Sequence, residues 1–348
     1  MIALDAMGGD HAPQAIVAGA LLAARRGIPL RIYGDEDQII PCLHKLDPGW
    51  HNLPITLVHC SQVVQMDDEP TTAVLRKKDS SLVQAMNDVA SGKALAFVSA
   101  GNTGACLVGG MLIVGKTPGI LRPAIGEFIP TLNGEVFCID LGANVDCKPE
   151  HLKQFAIMGD VYVKLKKQIN QPRIAFLSNG IERSKGNKAL LTSYELLESS
   201  GLNFIGNREP YDILHGDVDV LVCDGFVGNI MLKSLEAMVS LVPKIVEREC
   251  KKSWWGRTVG FLGKRFFKKL KQNVARVQKG GALLLGVQKP IIIAHGSSHK
   301  EAIEDALVYA HRVTQSGFIE QFNNAVSTMI EKSVVYSHPL STNYSNQR

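Results

Sequence analysis

Six times along this chain a short apolar run, readable as a strand, ends in a loop of Gly, Asn, Asp, Ser or His just before a helical stretch. The loops fall at 5–11, 99–104, 140–146, 178–180, 224–229 and 295–298. In a parallel α/β sheet such loops gather at the carboxyl ends of the strands, where ligands bind. Their bare backbone amides, facing helix N-termini, suit an anion.

Strands are expected at 2–5, 30–33, 55–58, 94–99, 135–140, 173–177, 218–223 and 291–294. Each is rich in Val, Ile, Leu or Phe with little polar alternation, as suits strands covered on both faces. Helical patterns lie between them at 13–26, 80–91, 103–114, 149–167, 187–199, 228–249 and 298–315. The alternation predicts a three-layer α/β/α sandwich with a mostly parallel sheet. Residues 1–330 read as one large α/β domain, with 240–275 a projecting amphipathic helical segment and 331–348 a weakly ordered tail.

A chain of 348 residues with 45% apolar residues can bury a large core. Met1 to Leu4 already reads as the first strand, without a basic leader or cleavage site, and no apolar run approaches the roughly 18 residues of a membrane span. A cytoplasmic protein is expected. Seven cysteines show no C-x-x-C pair and no zinc-like spacing, so they read as reduced core thiols. His295 and His299 share a metal-like spacing but have no flanking carboxylate, and no metal or cofactor is expected.

The formal charge of +5 hides an asymmetry. Between Glu249 and Glu301 there are twelve Lys or Arg and no acidic residue, leaving 26 basic against 33 acidic residues elsewhere. A basic island on an acidic body points to a localised anionic partner and away from a nucleic-acid coat.

One motif is a decoy. Gly110-Met-Leu-Ile-Val-Gly-Lys-Thr117 matches the nucleotide-binding pattern G-x-x-x-x-G-K-[ST]. That motif needs a strand before it and a helix opening at its Lys and Thr. Here a helical pattern precedes it, and Pro118 steers Thr117 away from helical dihedrals.

Read in order, the loops resemble those of the bacterial phosphate acyltransferases. The resemblance rests on Ile2-Ala-Leu-Asp-Ala-Met-Gly-Gly-Asp10, Arg76-Lys-Lys-Asp-Ser-Ser81, Val98-Ser-Ala-Gly-Asn-Thr-Gly-Ala105, Gly142-Ala-Asn-Val-Asp-Cys-Lys-Pro-Glu-His151, Ser200-Gly-Leu-Asn-Phe-Ile-Gly-Asn207, Cys223-Asp-Gly-Phe226, Leu284-Leu-Gly286 and His295-Gly-Ser-Ser298. It runs from residue 1 to about 315 in the family's order. The resemblance implies transfer of a fatty acyl group from acyl-carrier protein to inorganic phosphate at the start of phospholipid synthesis. It also implies a fold related to isocitrate and isopropylmalate dehydrogenases and to phosphotransacetylase, a homodimer, and peripheral association with the membrane. A downstream membrane glycerol-3-phosphate acyltransferase would be a further partner. Two stretches depart from the family pattern. Ser178, Asn179, Ile181 and Arg183 differ within an otherwise matching run that keeps Glu182, Lys185 and Gly186, and Glu209-Pro-Tyr-Asp212 replaces the usual Glu-Gly-Arg-Asp.

Passing an acyl group from a thioester to phosphate needs a held phosphate, donors for the carbonyl oxygen as it becomes an oxyanion, and neutralisation of the leaving thiolate. For phosphate the candidates are Gly101, Asn102, Thr103 and Gly104, which open a helix after a strand, with Lys185 as positive partner. The alternative is that Gly101 and Gly104 only make the turn and Thr103 only caps the helix. Gly8, Gly9 and Asn144 are further substrate-loop candidates. For the oxyanion the candidate is Asn229, with His295 and Ser297 as further donors or a proton source; a plain N-cap at Asn229 and a structural histidine at 295 are the competing readings. Asp5, Asp10, Asp140 and Asp146 would repel phosphate and read as acceptors that fix the loops. Cys147 and Cys223 allow a covalent route, with Lys148 lowering the Cys147 thiol pKa, but direct attack by phosphate is the preferred reading.

The stretch 251–271 carries eight of the twelve cations, interleaved with Trp254, Trp255, Phe261, Leu262 and Phe266. Helical spacing puts apolar and cationic residues on different faces, a membrane-surface pattern. Docking of acidic acyl-carrier protein and plain packing are the alternatives. Within enzymes the rival is phosphotransacetylase-like transfer with coenzyme A; outside them it is a non-catalytic lipid- or nucleic-acid-binding protein.

Overall fold

A computed structural model describes residues 1–252 and 281–335. Its strands are β1 (Ile2–Asp5), β2 (Leu30–Gly34), β3 (Ile55–His59), β4 (Ala96–Ser99), β5 (Ala124–Thr131), β6 (Gly134–Ile139), β7 (Ile174–Leu177), β8 (Phe204–Arg208), β9 (Val220–Val222), β10 (Ala282–Leu285) and β11 (Ile291–Ile293). All join one sheet in the order β3-β2-β1-β4-β11-β10-β5-β6-β9-β7-β8. The eight expected strands are present. The sequence pattern did not show β5, β8 and β10. β5 contains Gly126 and Pro130, which read as a break; Gly126 is required because the Phe137 ring lies where its side chain would be, 2.3 Å from an added Cβ.

The helices are α1 (Gln14–Arg25), α2 (Glu36–Leu46), α3 (Pro70–Arg76), α4 (Ser81–Ala90), α5 (Thr103–Gly109), α6 (Pro149–Lys167), α7 (Lys188–Glu198), α8 (Pro210–Ile213), α9 (Gly225–Lys252), α10 (Lys300–Gln315) and α11 (Phe318–Val335). They cover both faces. One apolar layer joins α1, α6, α10 and α11 to the sheet through residues such as Ile16, Phe155, Leu307 and Phe322; the other joins α4 and α5 through Leu82, Met86 and Cys106. Each layer buries apolar surface worth about 25 cal/mol per Å², which is what holds strands with so little polar alternation between two helical layers. The three-layer α/β expectation is met.

The sheet has two parallel halves that run in opposite directions. β3, β2, β1, β4 and β11 run one way, β6, β9, β7 and β8 the other, and the antiparallel pairs β11–β10, β10–β5 and β5–β6 reverse the direction between them. Such a reversal would send the two sets of carboxyl ends to opposite rims if the halves were in line. They are staggered instead. One register row passes through Leu4, Val98, Ile292, Leu283, Gly126, Ile139 and Val222, so Ser99 in one half and Asp140 in the other lie one residue to either side of it. Both carboxyl rims therefore flank the middle of β5.

Two expectations are corrected. Helix α11 continues to Val335, into the stretch expected to be a weakly ordered tail. The sequence reading found no membrane-length apolar run, yet residues 225–250 of α9 are long and apolar enough on composition alone. The end of α9 at Lys252 falls inside the expected 240–275 segment; its remainder, with Trp254, Trp255, Phe261, Leu262 and Phe266, lies outside the described residues.

Candidate functional site

A cleft of about 640 Å³ lies over the staggered middle of the sheet. Its floor is Ile125 and Glu127 of β5, Ala282 of β10 and Ile293 of β11. One wall is built from the first half's rim, with Asp10, Thr103 and the loop His295, Gly296 and Ser297; the other comes from the second half, with Leu141, Gly142 and Asn229. Helix α9 joins the walls. It starts where Gly225 N–H donates to Asn144 O at 2.7 Å and presents Asn229, Lys233 and Glu236 to the cleft at i, i+4 and i+7, one helical face. Lys233 reaches the opposite wall and meets His295 Nε2.

The loops are fixed by their own carboxylates. Asp140 accepts from the backbone N–H groups of Ile125, Gly142, Ala143 and Asn144, and from the Asn144 side chain, at 2.7–3.2 Å. Burial pushes its pKa up, while these donors pull it down. Asp5 accepts from Met7 N–H and from the hydroxyls of Ser81 and Ser99, and burial likewise raises its pKa against those bonds. Both side chains fill the turns with internal hydrogen-bond acceptors, in line with their reading as loop-fixing acceptors.

Four candidates come together in the cleft: Thr103, Asn229, His295 and Ser297. The others are placed differently. Asn102 is buried, its Oδ1 capping Ala105 N–H and its Nδ2 shared among the carbonyls of Gln65, Met66 and Asp68. Asn144 is buried and donates to Pro123 O and Asp140. The N–H of Gly101 donates to Ser99 Oγ, while Gly8 lies against Gly101 and Gly9 against Ala100 and Gly296, close approaches that only glycine permits. Gly104 packs on Pro70. Lys185 is exposed in the loop after β7, beside Gly180, and is not part of the cleft lining.

A family model described as "Fatty acid synthesis protein" matches residues 1–321. The chain is 42% identical over 329 residues to a phosphate acyltransferase of Pelotomaculum thermopropionicum, covering 94% of this chain and 95% of that one. It is 44% identical to the phosphate acyltransferase of Geotalea uraniireducens, covering 91% of each. The chain belongs to the phosphate acyltransferase family. Among solved structures its fold is similar to a branched-chain phosphotransacylase from Enterococcus faecalis, with a TM-score of 0.56 at 17% identity over 90% of this chain and 99% of that one. A phosphotransacetylase from Streptococcus pyogenes matches with a TM-score of 0.55 at 18% identity, over 90% and 94% of the two chains. These two likenesses concern the fold alone.

With the family known, the cysteines and the decoy can be placed. The thiol of Cys147 is pushed up to about 12 by burial and by the Asp140 and Asp224 carboxylates, the reverse of the expected lowering by Lys148. Cys223 is raised further, by burial first. Neither is poised as a thiolate nucleophile. The nucleotide-like motif begins in a π-helical turn, Gly110–Val114, that follows directly on α5, and Lys116 Nζ donates to Leu121 O. Among the charged residues of the cleft, Lys233, Glu236, Glu127 and Glu301 escaped the sequence reading. The first two carried a signal, the i+4 and i+7 spacing from Asn229.

Proposed function

We propose that the chain transfers a long-chain fatty acyl group from acyl-carrier protein to inorganic phosphate, forming acyl phosphate for phosphatidic acid and phospholipid synthesis. Membership of the phosphate acyltransferase family supports acyl transfer to phosphate. The observation that carries the site is the stagger of the sheet, which lets Thr103 of one half and Asn229 of the other line one cleft.

In that cleft a phosphate oxygen attacks the thioester carbonyl carbon and forms a tetrahedral oxyanion. The Asn229 amide, projecting from the second turn of α9, is the donor suited to that oxygen. The C–S bond then breaks, and the proton given up by phosphate ends on the departing sulfur. One activated acyl group becomes another, so the reaction draws on no nucleotide. Apolar Ile125, Leu141, Leu232 and Ile293 supply a surface for an acyl chain beside the polar end.

The finer reading places the protein in the cytoplasm as a homodimer held peripherally at the membrane by 251–271, where cations would meet anionic lipid and Trp254, Trp255 and Phe261 would anchor. Acyl phosphate released there would pass to a membrane glycerol-3-phosphate acyltransferase. Incubation with long-chain acyl-carrier protein and labelled phosphate is expected to give a hydroxylamine-sensitive acyl phosphate. Turnover with acyl-coenzyme A in place of the carrier thioester would favour the phosphotransacetylase-like alternative. Liposome flotation should be lost in Trp254→Asp with Phe261→Asp; unchanged flotation removes the membrane reading.

A further inference from the structure

Lys233 is the one Lys or Arg among the described residues that line the cleft. It shares that lining with four carboxylates, those of Asp10, Glu127, Glu236 and Glu301. A phosphate dianion entering such a lining meets like charge on several sides, and the attraction that offsets it must come from this ammonium, because Coulomb interactions strengthen as water is excluded.

Its surroundings aim it. Glu236, three residues on along α9, accepts from Nζ at 3.0 Å. An ammonium only donates, so the Nε2 of His295 accepts a second bond from Lys233 across the cleft, and the other ring nitrogen of His295 meets Ser297 Oγ at 2.7 Å. Among the described residues nothing takes the third N–H of Nζ, and with the side chain 45% exposed a small solute can reach it. Asn229 stands one turn earlier on the same helix face, so the proposed oxyanion donor and this ammonium share a rigid support.

We infer that Lys233 is the phosphate-binding cation of the cleft, with His295 and Glu236 as the residues that position it. The inference rests on the acyl-transfer reading for its ligand, and it replaces two sequence expectations. Lys185 is not part of this lining, and His295 acts through Lys233, its Nε2 being turned to that ammonium and not to the substrate.

The test is calorimetric titration of the full chain with inorganic phosphate, alongside steady-state kinetics. Lys233→Met should weaken phosphate binding by about tenfold or more, with Lys233→Arg between it and wild type. Lys244→Met removes the same charge further along the same helix and should leave phosphate affinity within about twofold. In turnover the Lys233→Met defect should fall on the KM for phosphate, with the KM for the acyl donor nearly unchanged, and His295→Gln should raise the phosphate KM by less. Thermal melting identifies any variant that fails to fold, and Lys233→Gln then takes the place of Lys233→Met. Wild-type phosphate affinity in a folded Lys233→Met or Lys233→Gln chain would overturn the assignment, as would loss of affinity in Lys185→Met alone. Lys233-dependent phosphate binding without any acyl phosphate product would uphold this inference while sinking the acyl-transfer reading.

Discussion

Gly228, in the first turn of α9, lies directly on the backbone of Asp140: a Cβ added there would stand 2.0 Å from the Asp140 carbonyl oxygen. Neither partner can yield, because one belongs to a helix and the other to a loop clamped by five hydrogen bonds to its own carboxylate. Gly228→Ala is therefore expected to lift the start of α9 and carry Asn229 and Lys233 away from the opposite wall. Small displacements of positioned groups cost about 100-fold in rate. Turnover of the purified variant, with its circular dichroism as a check on folding, measures this; near-normal turnover would show that α9 has slack at this contact.

Asp140 itself carries a second prediction. Its two oxygens together receive four backbone N–H groups and one side-chain N–H. An amide in its place offers one oxygen and turns an NH2 group toward donors, which leaves buried N–H groups without partners. Asp140→Asn is expected to lower stability by about 2–4 kcal/mol. Urea denaturation at constant pH measures the change, and a loss within about 0.5 kcal/mol, as at an ordinary surface position, would contradict the picture of an internal acceptor organising the loop.

The strands were legible because burial on both faces leaves an almost continuous apolar run, as in Ala96–Ser99 and Ile174–Leu177. The reversal of direction was not, since it depends on β10 and β5. β10 is four residues long, and β5 is interrupted by Gly126 and Pro130. Without those strands a reader takes the sheet as parallel throughout and the loops as one ridge; they converge by stagger instead. Within the site, Asn102 and Asn229 look alike in sequence, each a short polar residue near a helix start. Packing separates them, because Asn102 is closed over by the 65–68 backbone while Asn229 stays open to the cleft. Lys233 carried only its i+4 spacing from Asn229, and a lysine inside an amphipathic helix reads as a solvated face until the opposing wall is known.

The raised thiol of Cys147 bears on the reaction route. With its pKa pushed up to about 12, first by burial and then by the neighbouring Asp140 and Asp224 carboxylates, the thiolate needed for an acyl-enzyme is scarce near neutrality. Cys147→Ala should retain at least about half of wild-type turnover, because a side chain that only packs contributes nothing to the chemistry. Mass spectrometry of the native enzyme after quenching with acyl donor checks the same point. An acylated Cys147 peptide formed at the rate of turnover would establish the covalent route.

Glu127 makes the cleft's stability depend on pH. It sits on the floor facing α9, and burial, assisted by the Glu236 carboxylate, pushes its pKa from 4.5 up to about 7. A carboxyl whose pKa is higher in the folded than in the unfolded chain binds its proton more tightly when folded. Its contribution to stability is complete below pH 4.5 and is lost as the pH rises through about 7. Unfolding free energy should accordingly fall between pH 5 and pH 8.5 by up to about 3 kcal/mol from this group, less whatever its residual contact with water screens. Glu127→Gln keeps the shape and removes the titration, so wild type and variant compared across that range isolate the effect from every other ionising group. The gap should move steadily in favour of the variant as the pH rises. A gap that stays constant, or moves the other way, would mean that the Glu127 carboxylate is already accommodated by a counter-charge in the folded cleft.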